Sequence, residues 1–420
     1  MFPLSIYRCD PRFVVFLALI IGSFVSVAAF DLTKKDNLAV YWGQNSAGGQ
    51  QQLSAYCQDD TIDNIVLAFL YVFFGPAPTL SQPEIDFANI CNQFNDPTFT
   101  GTDLADCSFM ASQIEACQAK GKIVTLSLGG ATGQVGFSSD SGANSLADRI
   151  WNEFLGGSSS TRPFGSAVLD GLDLDIESGS PSHYNTFVNR IRSHTNGASK
   201  QYYITAAPQC PFPDAWIGDA LDSSNFDAVY VQFYNNFCGL DQPSQYNFAT
   251  WDSWARSGSN NKNIKVYIGA PASPNAAGTG YVSPSTLANF ATSAQNTFAS
   301  FGGVMLWDAS EAVANNNYHV AIKNAMVANL NGPNIPAASN TTVHATKTAP
   351  ASVHVTGSPT RASPTATKSE TSQSTKDVPE VPKGAGADQS FSEDKKGTPV
   401  NNSTADEPRA TRVNSRFFRR

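Results

Sequence analysis

The chain has 420 residues, room for one large domain or two ordinary ones, with 41% apolar and 15% charged residues and a formal net charge of −8. The charge is uneven: the first 334 residues carry 15 Lys and Arg against 27 Asp and Glu, and the rest carry 12 against 8. An acidic body excludes nucleic acid as the expected partner, because a phosphate backbone is bound by a basic surface.

The first 29 residues read as a secretory leader. Arg8 and Arg12 precede an apolar run at 13–27, and the small residues Ala28 and Ala29 follow. The run is short for a membrane span. Cleavage near residues 29 and 30 is expected, leaving an exported, extracellular chain with no span; a retained anchor is the alternative.

Eight apolar, β-branched-rich runs follow, at 38–42, 65–70, 123–128, 168–176, 202–206, 228–233, 266–269 and 304–307. Most are continuous rather than alternating, as in parallel strands buried on both faces. Helical patterns lie between them, at 103–120, 145–155, 182–193, 283–298 and 311–330. Ser283 followed by Pro284 makes a cap and first turn. Strand–helix alternation predicts an α/β fold, a (β/α)₈ TIM barrel over residues 30–334. A doubly wound open sheet is the alternative, but no Gly-rich phosphate loop follows the first strand.

From 335 to 420 the chain is rich in Ser, Thr, Pro, Ala and Lys, with few large apolar residues. Such a segment buries too little surface to offset its conformational entropy, so a disordered, glycosylated tail is expected. Asn340, Asn401 and Asn402 begin N-glycosylation sequons. No hydrophobic tail for a lipid anchor is seen. The tail reads as a spacer, with contact to an anionic cell wall as the alternative.

Cys9 lies in the leader. The other six, Cys57, Cys91, Cys107, Cys117, Cys210 and Cys238, suit three disulfides in an exported protein, with the connectivity left open by spacing alone. No CxxC occurs, which argues against structural zinc.

Residues 170–177 read Asp-Gly-Leu-Asp-Leu-Asp-Ile-Glu. In a strand, Asp173, Asp175 and Glu177 share one face, roughly 6–7 Å apart in succession, and Leu172, Leu174 and Ile176 share the other. Burying several carboxylates costs several kcal/mol each unless they are paired, protonated or used. Neighbouring inward carboxylates raise one another's pKa, which keeps an acid protonated near neutral pH. A solvated edge strand and a metal site are the alternative readings. Polar and aromatic residues also close the other runs: Tyr41, Gln44 and Asn45, then Phe69, then Ser127 to Gly130, then Gln209, Gln232, Tyr234, Trp307 and Asp308. In a barrel of this type the chemistry sits at those strand ends.

These residues carry a resemblance. Asp170, Asp173, Asp175 and Glu177 fit the DxxDxDxE signature of glycoside hydrolase family 18, and Ser127-Leu128-Gly129-Gly130 fits its SxGG motif. Tyr41-Trp42-Gly43-Gln44-Asn45, Ala206-Ala207-Pro208-Gln209-Cys210-Pro211 and Gln232-Phe233-Tyr234-Asn235-Asn236 resemble the class III chitinases of plants and fungi. The resemblance covers roughly residues 36–330.

It implies an endo-acting chitinase cleaving β-1,4-linked N-acetylglucosamine, with no cofactor, chitin or chitooligosaccharide as the partner, and a monomeric state. Glu177 would be the general acid. The substrate's own acetamido oxygen would attack the anomeric carbon, with retention of configuration, a recognised exception to the two-carboxylate scheme. Asp175 would bind the acetamido N–H and share a proton with Asp173, and Tyr234 would orient the acetamido carbonyl. Trp307 would floor the sugar, and Tyr41, Phe69, Gly130, Gln209, Gln232 and Asn235 would line the cleft. Asp170 would serve in the motif or as a buried structural group. The resemblance further implies Cys57–Cys117, Cys91–Cys107 and Cys210–Cys238, and cis bonds at Ala68–Phe69 and Trp307–Asp308. A silent, sugar-binding barrel and an endo-β-N-acetylglucosaminidase acting on N-glycans are the alternatives.

Overall fold

The computed structural model describes residues 30–75 and 82–332. The expected leader, the tail and the sequons at Asn340, Asn401 and Asn402 lie outside the described residues.

The eight apolar runs form eight parallel strands: β1 (Asn37–Trp42), β2 (Asn64–Val72), β4 (Ile123–Gly129), β5 (Gly171–Asp175), β6 (Tyr203–Ala206), β7 (Ala228–Gln232), β8 (Lys265–Pro271) and β9 (Phe301–Trp307). A two-residue β3 (Glu84–Ile85) pairs antiparallel with β2. The sheet runs β1-β9-β8-β7-β6-β5-β4-β2-β3, and pairing of β1 with β2 closes it into a TIM barrel. Closure buries both faces of the strands, which explains why the runs are continuous rather than alternating.

Each strand divides its side chains between two apolar layers. Leu172, Leu174 and Ile176 join the larger layer between barrel and helices. A smaller cluster fills the barrel's interior, including Ala39, Tyr41, Val66, Tyr230, Tyr267 and Met305. The start of β5 is at Gly171, not residue 168. There a side chain would collide with the backbone of Tyr203 on β6.

The helices depart from expectation at three places. The segment expected as helix from 103 begins instead with a 3-10 turn (Ser108–Met110), followed by α2 (Ala111–Ala119). Its start is held off the helical path by a bridge between Thr98 and Ala105, by Asp106 N–H on the Pro97 carbonyl, and by the Cys91–Cys107 disulfide. The helix expected over 311–330 is two, α8 (Ala309–Ala314) and α9 (Tyr318–Asn331). Asn316 and Asn317 between them adopt φ of 54° and 57°, a left-handed conformation that asparagine tolerates better than most residues. Asp308 caps α8 by accepting from Glu311 N–H. Helix α6 (Phe248–Ser257) and the short α1 (Leu53–Cys57) and α5 (Gly218–Ser223) have no counterpart among the expected helical patterns. Helices α3 (Asp140–Phe154), α4 (Tyr184–Thr195) and α7 (Pro284–Thr297) match their patterns to within a few residues. Ser283 caps α7 as expected, accepting from Thr286 N–H.

The disulfides are Cys57–Cys117, Cys91–Cys107 and Cys210–Cys238. Ala68–Phe69 and Trp307–Asp308 are cis, as is Phe212–Pro213.

Candidate active site

The register of three neighbouring strands builds the floor of the site. Ser127 on β4, Asp173 on β5 and Thr205 on β6 stand side by side. All three point into the barrel, and both hydroxyls donate to the carboxylate: Ser127 to Oδ2 at 2.7 Å and Thr205 to Oδ1 at 2.7 Å. Tyr41 adds a third hydroxyl, to Oδ2 at 2.6 Å. Burial pushes the Asp173 carboxyl up, and the three donors pull it back.

One pleat further along, Asp175 accepts from Gln232 Nε2 at 2.9 Å through Oδ1. The same amide donates to the Ala207 carbonyl at 2.9 Å, which locks its orientation. Glu177 lies beyond the last sheet residue of β5, more open than Asp175, and accepts from Gln209 Nε2 at 3.3 Å. Burial pushes Asp175 well up, helped by repulsion from Glu177 and Asp173 and by a hydrogen bond with Glu177. Burial also raises Glu177, against donation from Gln209 and Gln232. Thus Asp175 shares a hydrogen bond with Glu177, while Asp173 has its oxygens engaged by three hydroxyls. Asp173, expected to share a proton with Asp175, acts on it through its charge. Asp175 and Glu177, both raised, hold a proton between them to higher pH than a lone carboxyl would.

Tyr234, two residues past β7, is 7% exposed. Burial and the charges of Asp175 and Glu177 hold its phenol well above the ordinary range. Gly280 presses on it from the loop after β8. A Cβ there, at φ +94°, would sit 2.6 Å from Tyr234 Cα. Trp307 stacks on Phe69 at 5.8 Å and 20°, with Tyr41 tilted against Trp307 at 5.6 Å. Gly130 lets the Phe69 ring approach, since a Cβ would meet it at 2.7 Å. Phe69, Asp175, Glu177, Gln232, Tyr234 and Trp307 thereby line one cavity of about 120 Å³ at the C-terminal end of the barrel. A narrow slot with an aromatic wall and a carboxyl pair at its base suits a flat ring presenting C–H groups.

Two of the expected residues, Tyr41 and Asp170, stand away from the open cleft. Tyr41 is 1% exposed, so it reaches the site as a donor to Asp173 rather than as an open wall. Asn235 lines the same cavity, as expected, and turns its Oδ1 to the N–H groups of Gly278 and Thr279, at 2.8 and 3.2 Å, so that it also ties down the loop that carries Gly280. Asp170 is remote from the mouth: it accepts from Val124 N–H and Gln118 and pairs with Lys200 at 3.0 Å. Thr205 and Asp214 join the site without having been singled out by the sequence, and Asn236, named there only as the end of a motif, joins them. Inward alternation along β6 marks Thr205; no local pattern marks Asp214. Among the described residues, no group of three or more His, Cys, Asp or Glu is placed to hold a metal ion, and no helix is long and apolar enough to cross a membrane.

The model of glycosyl hydrolases family 18 matches residues 37–396. The chain belongs to this family. A Rhizopus niveus protein described as Chitinase 1 is 46% identical over 309 residues, covering 72% of this chain and 60% of that one. The match spans between 49% and 60% of the length of the first three curated relatives. Among solved structures, the ICChI chitinase from Ipomoea carnea is 33% identical with a TM-score of 0.59, covering 69% of this chain and 99% of that one. The xylanase and alpha-amylase inhibitor protein XAIP-II from Scadoxus multiflorus is equally identical at 33%, with a TM-score of 0.58 and coverage of 69% and 98%.

Proposed function

We propose that the chain is an exported endochitinase that hydrolyses β-1,4-N-acetylglucosamine linkages by a retaining, substrate-assisted route. The observation that carries this reading is that Asp175 and Glu177 line one cavity at the mouth of β5 with the stacked pair of Phe69 and Trp307. Glu177, the more open of the two carboxyls, donates its proton to the glycosidic oxygen. The acetamido oxygen attacks the anomeric carbon and forms an oxazolinium ion. Asp175, freed of its bond to Glu177, accepts the acetamido N–H and offsets the developing positive charge. Tyr234 holds the acetamido carbonyl. The ionised Glu177 then activates water, which opens the ring from the same face and retains configuration. Asp173, held by Tyr41, Ser127 and Thr205, keeps Asp175 in place from below.

Three disulfides support an oxidising, extracellular destination. The organisation proposed is a leader at 1–29, the barrel at 30–334 and a Ser/Thr/Pro-rich, glycosylated spacer at 335–420.

The relatives named as chitinases favour polymeric chitin over N-glycans. Inhibitor proteins share this fold at 33% identity, so a silent barrel is the second reading; the intact Asp175, Glu177 and Tyr234 weigh against it. Release of chitooligosaccharides from colloidal chitin, beside Glu177→Gln, tests both. An active parent and a variant weakened about 10²–10⁴-fold support the assignment. Equal activity of the two removes Glu177 from its role. Inactivity of both with retained chitin binding favours the silent barrel. Cleavage of high-mannose glycopeptide but not chitin favours the N-glycan reading.

A further inference from the structure

The turn after β6 holds a buried carboxylate that the proposed reaction does not use. Asp214 is 7% exposed and follows the cis Phe212–Pro213 bond. Among the described residues no Lys, Arg or His pairs with it. Three backbone N–H groups meet it instead: Gln209 donates to Oδ2 at 2.9 Å, and Trp216 and Ile217 donate to Oδ1 at 2.8 Å each. Burial pushes its carboxyl up and these three donors pull it back. Full use of both oxygens by N–H groups suits the ionised form.

A neutral Asn or Ser can cap a turn of this kind, and burying a charge costs more. The position of the charge gives it a use. Gln209, whose main-chain N–H is held by Asp214, extends its side-chain amide to Glu177 Oε2, and Asn236 donates to Gln209 Oε1 at 3.3 Å. The Cys210–Cys238 disulfide, next to Gln209, ties the same turn to the loop after β7. Asp214 also acts through space on both Asp175 and Glu177.

We propose that Asp214 is a positioning residue for the general acid: it fixes Gln209 against Glu177 and sets a negative charge behind the Asp175–Glu177 pair. This rests on the reading of Glu177 given above. The two contributions oppose each other. Donation from Gln209 favours ionised Glu177, whereas the charge of Asp214 favours its protonated form. The other groups facing Glu177 are Asp175 on its own strand and Gln232 and Tyr234 at the end of β7, with Asp173 behind Asp175. On the open side stand Phe69, Ala131 and Trp307, and no Lys or Arg lines the cavity. Asp214 therefore acts with no cation among these groups to cancel it, and its charge works toward keeping the proton on the acid.

The test is the pH dependence of kcat/KM on a soluble chitooligosaccharide for the parent, D214N, Q209A and the double variant, with folding checked by circular dichroism. The alkaline limb belongs to the Asp175–Glu177 pair. D214N alone loses both contributions, so the charge is read against Q209A. In Q209A the limb moves to higher pH. Adding D214N to Q209A moves it back down, which separates the charge from the loss of Gln209. D214S serves as the second neutral variant if D214N does not fold. A limb that D214N leaves unmoved in the Q209A background, with only a uniform fall in kcat/KM, would make Asp214 a turn cap only and overturn the proposal. An inactive parent would overturn the functional reading itself; an active parent with that limb unmoved overturns this inference alone.

Discussion

The Tyr41 hydroxyl on β1 donates to Asp173 Oδ2 on β5 at 2.6 Å, joining residues 132 apart in the chain through the barrel interior. Both are essentially removed from water, at 1% and 0% exposure. The contact turns an interior ring into part of the active-site support, and it couples the first strand of the barrel to the acidic row.

Tyr41→Phe removes one of three hydroxyls from a buried carboxylate. A loss of about 1–3 kcal/mol in unfolding free energy is expected. With one donor fewer, burial raises Asp173 further. The destabilisation is therefore full at higher pH. It shrinks as pH falls through the range above the ordinary aspartate value of 3.8, where Asp173 becomes protonated in both proteins. Denaturant midpoints at a series of pH values measure it; a loss independent of pH would count against an ionised Asp173.

The raised pair makes a second prediction about pH. Asp175 and Glu177 bind protons more tightly folded than unfolded. Stability then falls as pH rises from the unfolded carboxyl values, about 4, through the raised folded values. Glu177→Gln removes one of the two and relieves its neighbour. The variant should melt above the parent at neutral pH and level with it in acid. A variant that is less stable by the same margin at every pH would contradict a pair held together by a proton.

Gly280→Ala places a methyl group 2.6 Å from Tyr234 Cα at a φ of +94°. Both the clash and the left-handed backbone argue for displacement of the loop or of Tyr234. A fall in kcat of about tenfold or more is expected, with chitin binding largely kept, because the aromatic wall of Phe69 and Trp307 stands apart from the substitution. Steady-state kinetics and a chitin pull-down separate the two; an unchanged kcat would remove Gly280 from the support of Tyr234.

The paired change of Cys210 and Cys238 to Ala frees the two loops that carry Gln209 and Asn236. Their sequence separation is 28 residues. A loss of about 2–5 kcal/mol is expected, together with lower activity even at temperatures where the barrel stays folded. Melting curves and rates on chitooligosaccharide read the two effects separately. Loss of stability without loss of activity would show that the turns hold their shape unaided.

Much of this architecture is legible in the order of the residues. The alternation at 172–177 assigns Leu172, Leu174 and Ile176 to one layer and the carboxylates to the other, because a strand offers only two faces. The eight runs and Ser283 with Pro284 are equally local signals. Local patterns mislead where a distant contact or a backbone turn overrides them. The segment 103–107 looks helical until Cys107 is bonded to Cys91. The run 311–330 looks like one helix until two asparagines turn left-handed.

Residue spacing alone thus determined the strand–helix alternation, the acidic row and the strand ends at which side chains gather, since each depends on a repeat of two or about 3.6 residues. Tertiary structure alone decided which of those side chains meet. That Asp173 takes hydroxyls from Tyr41, Ser127 and Thr205, that Asp175 turns to Glu177, and that Asp214 lies behind Gln209 all depend on strand register and on turns closed from far along the chain. Many of these contacts join residues tens to more than a hundred positions apart, and a local repeat carries no information about them.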